Sequence, residues 1–122
     1  PFAEVANYLS AADFALTPVK PVPSKKFCTP IKDGEYWAMG LPVVITPDIS
    51  DDSLIIDENK IGYVLKSLTT LEYRNAVGAI NNLLAQDRDV LQKRIRAVAI
   101  RYRSFSIARS VYDSLYGAPR IR

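Results

Sequence analysis

Histidine is missing altogether from the 122 residues, and cysteine occurs once, as Cys28. The first absence removes the commonest general base, the Ser-His and Cys-His nucleophile pairs and most zinc sites, leaving carboxylates, lysines and backbone dipoles for any chemistry. The second excludes an internal disulfide, points to a reducing compartment, and leaves Cys28 to be read as a small, partly buried residue. No apolar run approaches the roughly 20 residues that a bilayer-spanning helix requires. Charge of one sign is scarce too: 16 Lys plus Arg against 13 Asp plus Glu leave a surplus of three. That is too little to argue for a nucleic-acid partner. Asp48, Asp51 and Asp52 cluster, but their spacing fits no ligand loop, so no metal is assigned.

What is present suits one modest globular core, with 48% hydrophobic and 24% charged residues. The chain opens on proline and runs straight into Ala3, Val5, Ala6 and Leu9 at helical spacing, so it reads as a piece cut from a longer protein. A helix is expected over 2–11 and a short strand over Asp13–Thr17, ended by Pro18. A loop carrying Pro18, Pro21 and Pro23 among Lys20, Lys25 and Lys26 follows. Thr29 reads as a cap, with Pro30 at the first position of a helix of about ten residues that Gly40 and Pro42 close. Val43–Thr46 is a continuous β-branched run, suited to a strand buried on both faces of a parallel sheet. A short helix at Ser53–Asp57 and a third strand at Gly62–Leu65 come next. Three amphipathic helices complete the chain, marked by Leu71 to Leu84, Leu91 to Phe105, and Ile107 to Leu115. Strands separated by helices imply crossovers, hence the C-terminal half of a Rossmann-like parallel sheet with a helical tail, α/β in class.

The segment from Thr29 to Val44 carries the chemistry. A helix N-terminus bears about half a positive charge and unpaired N–H groups, so the backbone of Thr29, Pro30, Ile31 and Lys32 is suited to a diphosphate, with Lys32 adding a point charge. It follows the carboxyl end of a parallel strand, where ligands of open α/β sheets bind. Glu35, one turn inside, could accept two hydrogen bonds from the vicinal hydroxyls of a ribose. Gly34 costs about 1 kcal/mol in a helix interior, which suggests that something approaches its backbone closely. Tyr36 and Trp37 are read as packing against the sheet.

The run Lys32-x-x-Glu35-Tyr36-x-Ala38-x-Gly40-x-Pro42-Val43-Val44, preceded by Thr29-Pro30, resembles the signature of retaining glycosyltransferases of the GT-B architecture, in the large family-4 (group 1) type. Tyr8 to Pro18 and Ile61 to Leu65 resemble that family in register as well. The resemblance implies that residues 1–122 are a partial C-terminal nucleotide-sugar-binding domain, and that the full-length protein transfers a hexose from a nucleotide-diphosphate sugar to a glycan, lipid-linked or small-molecule acceptor. It places the donor's ribose on Glu35 and its diphosphate at Thr29 to Lys32. An acceptor domain ahead of this one, about 150 residues or more, is expected in cis. No separate cofactor is expected, no catalytic residue is assigned, and the piece alone should be inactive. One departure stands out: the glutamate that many members carry eight residues before the ribose residue is here Phe27, so a donor-sugar loop would have to use Ser24, Lys25, Lys26, Phe27 or backbone groups. A non-catalytic nucleotide- or phosphate-binding module of similar fold remains the alternative. A cytoplasmic location is expected; the arginines between Arg88 and Arg103 mostly lie beside the apolar stripe and read as an ordinary solvated face, with a weak peripheral contact to anionic lipid at the inner membrane face as the second reading. Strand 13–17, left without its upstream neighbour, is expected to make the isolated piece self-associate.

Overall fold

A computed structural model describes residues 2–117, the side chain of Phe2 excepted. Its centre is a parallel sheet of β1 (Ala15–Thr17), β2 (Val43–Ile45) and β3 (Gly62–Val64), in that spatial order. Val43 is in register with Ala15 on one side and Gly62 on the other. The β-branched run of β2 is buried on both faces, as a central parallel strand requires. Among the described residues β1 has no partner beyond β2, which is the arrangement expected of the last three strands of a doubly wound sheet.

Helices α1 (Val5–Leu9), α2 (Ile31–Ala38), α3 (Asp52–Asn59), α4 (Thr70–Leu84), α5 (Arg88–Arg103) and α6 (Phe105–Tyr116) surround the sheet. α5 packs along α2, while α3 and α4 pack on β3. α4 covers the sheet face that carries Val44 but stops short of β1. An apolar groove is left there between Phe14, Leu16, Val44, Tyr73, Val77 and Ile80. α6 is amphipathic, yet none of its residues is buried.

Several boundaries differ from the sequence expectation. The first strand covers only Ala15–Thr17, because Asp13 and Phe14 lie outside the register with β2. The first helix is a 3-10 turn at Phe2–Glu4 leading into the five residues of α1. Pro23–Phe27, read as loop, forms another 3-10 turn. α3 is longer than expected, running from Asp52 to Asn59.

Two helix ends show how local chemistry stops each crossover. α2 closes with Gly40 at φ +78°, its N–H donating to the Trp37 carbonyl and that of Leu41 to the Tyr36 carbonyl, the Schellman pattern. A Cβ on Gly40 would stand 3.1 Å from Gln92 Cβ on α5, so glycine serves both the turn and the helix contact. α3 closes the same way on Lys60, at φ +53°. A lysine is costly in that conformation, and its ion pair with Asp57, at 3.8 Å and mostly in solvent, returns little. Lys60→Gly is expected to stabilise the protein by about 0.5–1 kcal/mol. The midpoint of chemical denaturation measures it, and a fall in the midpoint would refute the strain argument.

Candidate functional site

The carboxyl ends of β1 and β2 open onto two loops fastened to each other. The Thr46 hydroxyl, just beyond β2, donates to the Val19 carbonyl and accepts from the Val19 N–H at 3.1 Å. Further along, the Ser50 N–H donates to the Lys25 carbonyl at 3.3 Å, and the Ser50 and Thr29 hydroxyls meet at 2.8 Å. The loop from Pro18 to Pro30 is thereby held against the turn that enters α3.

This geometry corrects the expected cap. Thr29 does not cap α2: Pro30 occupies the N-cap position in an extended conformation, the helix starts at Ile31, and no side chain caps it. The Thr29 hydroxyl is engaged with Ser50 instead. The first N–H groups of α2 are consequently left without side-chain acceptors, at the carboxyl edge of the sheet and with Lys32 exposed beside them. Glu35 is half-buried one turn further in. It lies in a groove walled by Val5, Ala6 and Leu9 of α1 and by Ala38 and Met39. The backbone of Thr29, Pro30, Ile31 and Lys32 and the Glu35 side chain thus belong to one helix end, with Glu35 on its α1 side.

Ser24, Lys25, Lys26 and Phe27 lie on the 3-10 turn. Lys26 lines an open cleft with Pro21, Val22, Pro23 and, from the turn after β2, Asp48. Ser24 contributes its carbonyl to a long contact from the Cys28 thiol at 3.6 Å, and the Phe27 ring is 85% exposed and outside that cleft. Cys28, expected to be partly buried, is exposed, because the 3-10 turn carries it outward.

Sequence reasoning missed the side chain that holds the site from behind. The Arg103 guanidinium, at the C-terminal end of α5, pairs with Asp51 at 2.9 Å and with fully buried Asp52, and lies 5.4 Å from the centre of the Trp37 ring. What approaches Gly34 is this side chain: a Cβ there would meet Arg103 Cβ and Cγ at 3.3 Å. Asp51 also accepts from the Ser50 hydroxyl at 3.2 Å, so the clamp reaches the loop bridge at Thr29. Two of the three acidic residues that suggested a metal cluster are therefore engaged by arginine.

Asp33, in the first turn of α2, is fully buried, and neither carboxyl oxygen has a partner in hydrogen-bond geometry. Burial pushes its pKa up to about 6, while the facing Thr17 hydroxyl and Arg103 charge act against the rise. A carboxylate four residues from Trp37, on the inner face of an amphipathic helix, was the available signal. Nothing in the local sequence pointed to Arg103.

Tyr36 and Trp37 pack against the core as expected. The arginines of α5 are largely spent within the domain. Arg94 donates to the Lys60 carbonyl at 3.2 Å, and Arg96 to the Met39 carbonyl at 3.4 Å, so each caps the end of a neighbouring helix. No described helix is long and apolar enough to cross a membrane.

Residues 22–111 match the family described as glucosyltransferase 3-like, C-terminal domain. The chain belongs to that family. The match takes in α2, the loop before it from Val22 onward, the turn after β2 and Arg103, and ends within α6. Neither the curated proteins nor the solved structures give a match. Membership makes this a glycosyltransferase-related domain of α/β fold.

Proposed function

We propose that the domain holds the nucleoside diphosphate of a sugar donor during glycosyl transfer by the full-length protein. The observation that carries this reading is the uncapped N-terminus of α2, presented at the carboxyl edge of a parallel sheet between two fastened loops. The N–H groups following Pro30, with Lys32, take the diphosphate, and Glu35 accepts from the ribose hydroxyls in the groove beside α1. The helix dipole stabilises the diphosphate as it leaves. The motif resemblance supports transfer with retention of anomeric configuration, to an acceptor bound by a domain ahead of this one in cis.

Calorimetric titration of uridine, adenosine and guanosine diphosphate into the full-length protein tests this. One should bind, and Glu35→Ala should weaken it about tenfold, the loss of a charged hydrogen-bond pair. Unchanged affinity would sink the ribose assignment. Binding without any glycosyl transfer would favour a non-catalytic nucleotide-binding module.

A further inference from the structure

The first turn of α2 carries a charge that opposes the ligand assigned to it. With Pro30 at the N-cap, Asp33 takes the third helical position, from which an acidic side chain can reach back to the N–H of the N-cap residue. Proline has no N–H to offer. The Asp33 carboxyl turns inward instead, fully buried and with neither oxygen in a hydrogen bond. Its own N–H donates to the Pro30 carbonyl at 3.1 Å, so the N–H groups of Ile31 and Lys32, directly before it, are the ones left to meet an anion. From neighbouring elements the carboxyl is faced by the Thr17 hydroxyl, at the end of β1, and by the Arg103 guanidinium of α5. Arg103 is already bound to Asp51 and Asp52 at the start of α3, so its charge is shared among three acids. On α2 itself Lys32 is exposed and Glu35 half-buried. Burial places the Asp33 pKa at about 6, which leaves the carboxyl ionised at neutral pH and close to gaining a proton. A diphosphate on the N–H groups of Ile31 and Lys32 brings a multiply charged anion within about one helical turn, roughly 5 Å of rise, with protein and not salt solution between the charges. Like charges so placed repel, and a proton on Asp33 removes the conflict while leaving the α2 dipole to the ligand.

We infer that Asp33 is a proton-binding residue of the donor site: the diphosphate binds with uptake of a proton by the Asp33 carboxyl, so donor affinity is highest in mild acid and falls as pH rises. The inference rests on the reading of α2 as the diphosphate site. Asp33 does not touch the ligand; it is a positioning residue that acts through the charge at the head of α2. Well below pH 6 the carboxyl is neutral before the ligand arrives and costs it nothing. Above that the ligand binds against a carboxylate or brings a proton with it, and affinity is lost.

The experiment measures, by calorimetry from about pH 5.5 to about pH 8, the affinity of the tightest-binding nucleoside diphosphate of the panel for the full-length protein and its Asp33→Asn variant. The ratio of the two affinities cancels the titration of the ligand's own terminal phosphate. The two proteins should agree within about twofold at the acid end, and the variant should bind about five- to tenfold tighter at the alkaline end. Titrations near pH 6.5 in buffers of different ionisation enthalpy should show the unaltered protein taking up about half a proton more than the variant. Thermal midpoints confirm that the variant folds. A ratio that stays constant with pH, or equal proton uptake by the two proteins, would overturn the role of Asp33 and leave the diphosphate reading standing. Failure of the unaltered protein to bind any nucleoside diphosphate would overturn both.

Discussion

Arg103→Ala should destabilise the protein by about 3–5 kcal/mol, the largest single-residue effect expected outside the apolar core. Its guanidinium is the only described partner of fully buried Asp52. Removing it leaves a carboxylate in the interior without compensation. The same change takes the alkyl stem from the Gly34 backbone and the cation from the Trp37 ring, so packing is lost along with charge. Chemical denaturation of Arg103→Ala, Asp52→Asn and the double variant separates these contributions. The double variant should lose clearly less than the sum of the singles, because the uncompensated charge is gone. Strict additivity would show that Arg103 acts through packing alone.

The second large effect is a gain. The Asp33 carboxyl moves from an ordinary pKa of 3.8 in the unfolded chain to about 6 in the folded one. Below pH 4 both states hold the proton and nothing is lost. Between about pH 4 and 6 the folded state binds more protons than the unfolded, so stability falls as pH rises, and above that the full penalty applies, on the order of 3 kcal/mol. Asp33→Asn should therefore stabilise the protein by about 1–2 kcal/mol at pH 7.5, since a buried amide still lacks partners, and should give no gain at pH 4. Asp51 and Glu72 act in the opposite sense. Burial would raise Asp51, but its bonds to Arg103 hold it below the usual carboxylate range, and the Lys66 N–H and then the Tyr63 hydroxyl lower Glu72. Both contribute stability that is lost on acidification. The measurement is accordingly the difference between the unaltered protein and the variant across pH, and a flat difference would contradict the assignment.

The parts of the fold legible in the sequence were those that depend on local pattern. Val43 to Ile45 could only be a strand buried on two sides, and Gly40 and Pro42 had to end a helix. The body of α2 was legible for the same reason. What escaped was set by distant partners. Thr29 has the composition of a cap, but Ser50, 21 residues away, competes for its hydroxyl. The α5 arginines looked like a solvated stripe because the carbonyls and carboxylates they meet belong to α2 and α3.

Because arginines from one helix secure the ends of two others, the domain has an order of assembly. The three described strands and the two loops bridged at Thr29 and Ser50 leave the ribosome before α5 is made. Until Arg94, Arg96 and Arg103 emerge, the carboxyl ends of α2 and α3 lack their side-chain caps and Asp52 lacks its counter-ion. During that interval the nascent chain exposes the core residues that Leu91, Ile95 and Val98 of α5 later cover, the kind of surface that recruits chaperones or other nascent chains. The late helix is thus a latch on synthesis: a chain that ends before α5 lacks both helix caps and the counter-ion of Asp52 at once.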